Sequence, residues 1–89
     1  MQRLQLREGL AHTRTEYGCV LLDQRVGQYW QLNETGAEAV EAMMEPISME
    51  ALVERIVECF DVDSATAFTD VSTLVEQFQS AELITIRDS

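Results

Sequence analysis

At Asn33 the hydrophobic period of this chain changes, and that change sets what it can fold into. Before Asn33 the chain reads as short runs of strand length separated by glycine-bearing turns; after it, apolar residues return at the helical spacing of about 3.6. Leu10 to Thr15 reads as a first strand, with His12 and Arg14 on one face. Glu16-Tyr17-Gly18 reads as a turn, and Cys19-Val20-Leu21-Leu22-Asp23 as the best buried strand. Gln24 to Gly27 is a tight reversal in which Gly27 supplies positive φ. Gln28 to Leu32 is then a third strand, with Trp30 and Leu32 toward the core and Tyr29 and Gln31 on the other face.

Asn33 is a good N-cap for a first helix, with Glu34 in its first turn. That helix is expected to run to about Glu45, with Ala37, Val40 and Met44 on one stripe and Glu38, Glu41 and Glu45 on a wet face; Pro46 ends it. Ser48 caps a second helix, Met49 to about Phe60, with Leu52, Val53, Ile56 and Phe60 inward. Asp63 or Ser64 caps a third, Ala65 to about Ala81. Its stripe of Phe68, Val71, Leu74, Val75 and Phe78 is wider than one core contact requires. Leu83 to Ile86 reads as a short closing strand. The expectation is one domain over residues 1–89: an α+β, winged-helix-like fold with a three-stranded antiparallel sheet followed by three helices.

Composition removes several classes of function. Six Arg and no Lys stand against sixteen Asp and Glu, for a net charge of -10. Such a surface repels phosphate, which argues against nucleic acid and anionic membranes as partners. The third helix carries Asp70 and Glu76 and no cation, unlike a helix that reads a major groove. No stretch approaches a membrane span, and the N-terminus has no signal-peptide core, so a cytoplasmic location is expected. His12 is the only histidine, and Cys19 and Cys59 lie far apart, so no metal set, cofactor site or catalytic constellation is expected. The two cysteines read as small buried hydrophobes; a disulfide between them is also compatible with the sequence.

The stretch Val26 to Asn33 carries no charge and holds the only Trp. In a meander its strand lies at the sheet edge. Edge strands are usually blunted by Lys, Pro or an inward charge, and this one has none of them. Either another strand or a second copy covers it, or it accepts an extended peptide as an added strand.

The residues Leu21-Leu22-Asp23, then Tyr29-Trp30-Gln31-Leu32-Asn33-Glu34-Thr35-Gly36-Ala37, resemble the signature of the PqqD-like family. Phe60-Asp61-Val62-Asp63, Thr69-Asp70-Val71 ahead of Leu74 and Phe78, and a closing Ala81-Glu82-Leu83-Ile84 extend the likeness from about Leu10 to Ile84. Within that family the form is most similar to the stand-alone recognition proteins of lasso peptide biosynthesis. The resemblance implies a non-catalytic, winged-helix-like protein that binds the leader segment of a ribosomally made precursor peptide. The leader would pair with the third strand and lie against the third helix. A separate cysteine-protease-like leader peptidase and a cyclase would be the further partners. By position, Val26, Gln28, Tyr29, Trp30, Gln31 and Leu32 would lie along the leader. Val71, Leu74 and Phe78 would form an apolar wall, and Asp70 would meet a leader cation or amide. The alternatives are a chaperone role in pyrroloquinoline quinone or another modified-peptide pathway, and a structural adaptor that dimerises through the edge.

Overall fold

The computed structural model describes residues 2–88. It contains β1 (Gln2–Leu6), β2 (Leu10–Thr15), β3 (Gly18–Asp23), β4 (Gln28–Asn33), α1 (Glu34–Ala42), α2 (Met49–Phe60), α3 (Ser64–Ser80) and β5 (Ile84–Asp88). The strands form an antiparallel three-stranded sheet in the order β2-β3-β4 and a separate two-stranded β1-β5 ribbon.

β3 is the centre of the larger sheet because alternate side chains point into the core: Cys19 and Leu21 are buried, and so is Asp23. Across the ladder Leu21 faces Trp30 and Cys19 faces Leu32, so β4 contributes its alternate apolar residues to the same face. The β3–β4 loop closes with the Gly27 N–H donating to the Asp23 C=O at 2.9 Å, and Gly27 adopts φ +70°. Gly18 has a different reason to be glycine. A Cβ there would sit 2.0 Å from the Leu32 carbonyl oxygen, whereas one at Gly27 would meet nothing within 4 Å. Gly18→Ala should therefore cost about 2–3 kcal/mol, and Gly27→Ala only about 1 kcal/mol, in urea denaturation.

Each helix starts on a side-chain cap. Asn33 accepts from the Gly36 N–H, Ser48 from the Ala51 N–H and Asp63 from the Thr66 N–H. Asp63 rather than Ser64 is the cap of α3. α1 stops earlier than expected, at Ala42, and its buried stripe ends on Met43, leaving Met44 exposed. The cause lies beyond the helix. Pro46 and the pairing of Ile47 with Leu4 in both directions (2.7 and 3.0 Å) need an extended chain, so helical turns cannot continue into it. α2 buries Leu52 and Ile56, and α3 buries Ala67, Val71 and Phe78. α3 ends in a Schellman motif: the Leu83 N–H donates to the Phe78 C=O at 2.8 Å and the Glu82 N–H to the Gln79 C=O at 3.1 Å, with Glu82 at φ 59°. That turn aims β5 back at β1.

Two ion networks join the layers. Arg7 spans the ribbon and the sheet: its guanidinium donates to the Asp23 carboxylate at 2.7 Å and to the Glu82 C=O at 2.7 Å. Burial pushes the Asp23 carboxyl up, but the Arg25 backbone N–H and the Arg7 and Arg25 guanidiniums outweigh it and hold it below the ordinary value. A carboxylate with a depressed folded pKa contributes stability above its unfolded value, near 3.8, and that contribution is lost as pH falls through the folded value. Removing this carboxylate, as in Asp23→Asn, should lower the urea midpoint at neutral pH and flatten its decline below about pH 4. In the second network Glu38 on α1 is held between Arg14 of β2 at 3.1 Å and Arg55 of α2 at 2.8 Å. The expectation that Glu38 lies on a wet face is thus corrected: its neighbours are cations on two other elements, and its side chain is only 16% exposed. Cys59 is exposed and Cys19 buried, both as free thiols, so the expected burial holds for Cys19 alone and they form no disulfide.

Candidate functional site: an open strand edge and the cleft beside α3

Among the described residues β4 pairs with β3 on one side only, and the two remaining strands, β1 and β5, pair with each other instead. Neither the first nor the last strand covers its outer edge.

The phase of the ladder tells which backbone groups face outward. The Gln24 N–H donates toward β2, to the Gly9 C=O at 3.3 Å. N–H and C=O of successive strand residues alternate sides, so Asp23, Leu21 and Cys19 direct theirs to β4. Their register partners Gln28, Trp30 and Leu32 bond inward. Tyr29 and Gln31 therefore present their main-chain groups to the open edge. Their side chains lie on the sheet face away from the helices, Tyr29 at 63% exposure, while Trp30 and Leu32 pack on the core. Val26 is 68% exposed in the preceding loop, before the strand begins.

At the C-terminal end of β4 a cleft of about 290 Å³ opens between α3 and the start of α1. Asn33, Thr35 and Gly36 line one side, and Asp70, Thr73, Leu74 and Gln77 the other. The four α3 residues are spaced i, i+3, i+4, i+7, which is one face of a helix. Leu74 is half-buried there and is the single large apolar group of the wall. Val71 and Phe78 do not line the cleft. They are 0% and 3% exposed, because α3 turns its Ala67–Val71–Phe78 face into the core and the cleft sees the adjoining face. The apolar wall expected from Val71, Leu74 and Phe78 is thus reduced to Leu74 within a polar row. Thr73 and Gln77 were not anticipated; their helical spacing from Asp70 was the available signal. Asp70 is exposed and forms no salt bridge among the described residues, and no cation lines the cleft.

The groups that carry enzyme chemistry are not gathered here. Burial pushes the Cys19 thiol up; at the exposed Cys59, partial loss of solvent and the neighbouring Glu38 carboxylate do the same, so neither is an activated thiolate. Among the described residues no group of three or more His, Cys, Asp or Glu is placed to hold a metal ion, and no helix is long and apolar enough to cross a membrane. What the geometry offers is a row of unpaired main-chain donors and acceptors beside a cleft with one apolar contact and one free carboxylate.

Comparison with known proteins places this arrangement. The model of the PqqD family, described as coenzyme PQQ synthesis protein D, matches residues 18–84, and the chain belongs to that family. Among solved structures it is similar to lasso peptide synthetase B1 complexed with the leader peptide, at 30% identity and a TM-score of 0.76 over 92% of this chain and 96% of that one. TbiB1 in complex with the TbiA(beta) leader peptide shares the fold at 21% identity, with a TM-score of 0.78 over 90% of this chain and 93% of the other. None of the curated proteins matches it.

Proposed function

We propose that this protein is a non-catalytic recognition element that binds the leader segment of a ribosomally synthesised precursor peptide, of lasso type, as an added strand on β4 against α3. The single observation that carries the reading is the uncovered, uncharged β4 edge beside the Leu74 cleft. Main-chain pairing to Tyr29 and Gln31 supplies affinity, and the cleft supplies selectivity: Leu74 takes an apolar leader side chain and Asp70 a cation or amide. Trp30 and Leu32 form the floor under the strand, Gln28 begins the pairing register, and Val26 meets the peptide where it leaves the strand. Val71 and Phe78 act from the core by holding α3 at its distance from β4. The likeness to a B1 protein complexed with a leader peptide supports the lasso assignment. The protein works as one domain in the cytoplasm and hands the bound leader to a separate cysteine-protease-like peptidase and then to the cyclase. Its part is to raise the local concentration of the precursor at those enzymes.

The test is a fluorescence titration using Trp30, the only tryptophan, as reporter. A lasso-type leader with Tyr and Pro anchors should give a saturable change, lost when either anchor becomes Ala. A leader from the pyrroloquinoline quinone pathway should give none. Equal binding of both would move the protein elsewhere in the family. Binding of neither, by a folded protein that dimerises, would favour the edge-to-edge adaptor.

A further inference from the structure

α3 has a second flank that the peptide cleft does not use. Phe68 belongs to the apolar stripe of α3 that is wider than one core contact requires, and it is 56% exposed. It lies two residues before Asp70, on the opposite side of the helix from the Asp70–Leu74 row at about 100° per residue. There it borders a cleft of about 240 Å³ between α2 and α3, lined by Met49, Val53 and Phe68 with Glu50 and Glu54 at the rim. An exposed phenylalanine beside a flexible methionine and a valine makes an apolar seat that the fold itself leaves unfilled.

The charge around the seat says what fills it. Glu50, Glu54 and Glu58 stand at successive i, i+4 positions on α2, all exposed, and none is in a salt bridge among the described residues. Like charges at that spacing oppose each other, and Glu58 also lies in the last helical turn, where the dipole disfavours an anion. The one cation on α2, Arg55, is engaged by Glu38. Glu50, in the first turn, is favoured by the dipole, but Glu54 and Glu58 are not, and the row has no salt-bridge partner among the described residues.

We infer that the Met49–Val53–Phe68 cleft docks a second protein through a segment that carries an apolar anchor flanked by Lys or Arg. A second copy docking through the same face does not fit, because it would bring a like acidic row against this one. The site stands apart from the strand edge, so both can be filled at once, and the inference holds whichever peptide β4 takes.

The experiment is a ¹⁵N-HSQC titration of the intact chain with three synthetic peptides of equal length. One has Leu and Phe anchors flanked by Lys, one has Glu in place of Lys, and one keeps Lys but has Ala in place of the anchors. The first alone should give saturable shifts in Met49–Glu54 and around Phe68, leaving Tyr29 and Gln31 unmoved. Phe68→Ser, an exposed change that leaves the core intact, should weaken it roughly tenfold or more. The double variant Glu50→Lys/Glu54→Lys should transfer the preference to the Glu-flanked peptide. No saturable shift with the first peptide, equal response to all three, shifts centred on β4, or concentration-dependent dimerisation through this face would each overturn the inference.

Discussion

Leu74→Asp should leave the protein folded and unable to hold its peptide, whereas Phe78→Asp should unfold it. The two side chains are one helical turn apart on α3, but their surroundings differ. Phe78 is 3% exposed and packs in the core. Removing such a ring costs about 3–5 kcal/mol, and an unpaired buried carboxylate costs more, against a total stability of about 5–15 kcal/mol for a domain. Leu74 sits half-buried on the cleft wall, where a carboxylate reaches water. Its replacement removes the apolar contact and sets a second acid beside Asp70. Peptide affinity should fall more than about tenfold while the circular dichroism spectrum is retained. Unfolding by Leu74→Asp would make the residue core and misplace the cleft.

Proline substitution along β4 should separate two kinds of main-chain hydrogen bond. Gln31→Pro removes an N–H that points to the open edge, so the β3–β4 ladder survives and the thermal midpoint should fall only modestly. The incoming strand loses a donor and meets a pyrrolidine ring, so affinity should fall more than about tenfold. Gln28→Pro removes an N–H that the register directs inward to Asp23, so it should lower stability more than Gln31→Pro, moderated because Gln28 is the first residue of the strand. Tyr29→Ala removes an exposed side chain and keeps its main-chain groups, so it should bind better than Gln31→Pro. Equal affinity of Gln31→Pro and the parent protein would count against strand addition.

The β2-β3-β4 meander, the edge position of β4 and the starts of all three helices were legible because they rest on local signals: alternation, glycine turns and capping side chains. β1 was missed. Its Gln2–Leu6 stretch alternates, but its ladder partner β5 is at the other end of the chain, and no local pattern announces a pairing over that distance. The same non-local contact hid the early end of α1, since Met43 and Met44 exchange roles only once Ile47 is committed to Leu4. At the cleft, the width of the α3 stripe was visible but its division was not. Helical periodicity shows that Val71, Leu74 and Phe78 share a side; the placement of β4 and α1 decides that two are core and one meets the cleft. The polar residues Thr73 and Gln77 drew no notice because a hydrophobic pattern gives them no weight.

The most direct measurement is amide hydrogen exchange along β4 with and without saturating leader peptide. In the free protein the Gln28, Trp30 and Leu32 amides should already be protected by β3, and those of Tyr29 and Gln31 should exchange freely. On binding, the Tyr29 and Gln31 amides should slow together while the inner three change little. Saturation by peptide with Tyr29 and Gln31 still exchanging as in the free protein would contradict strand addition on β4.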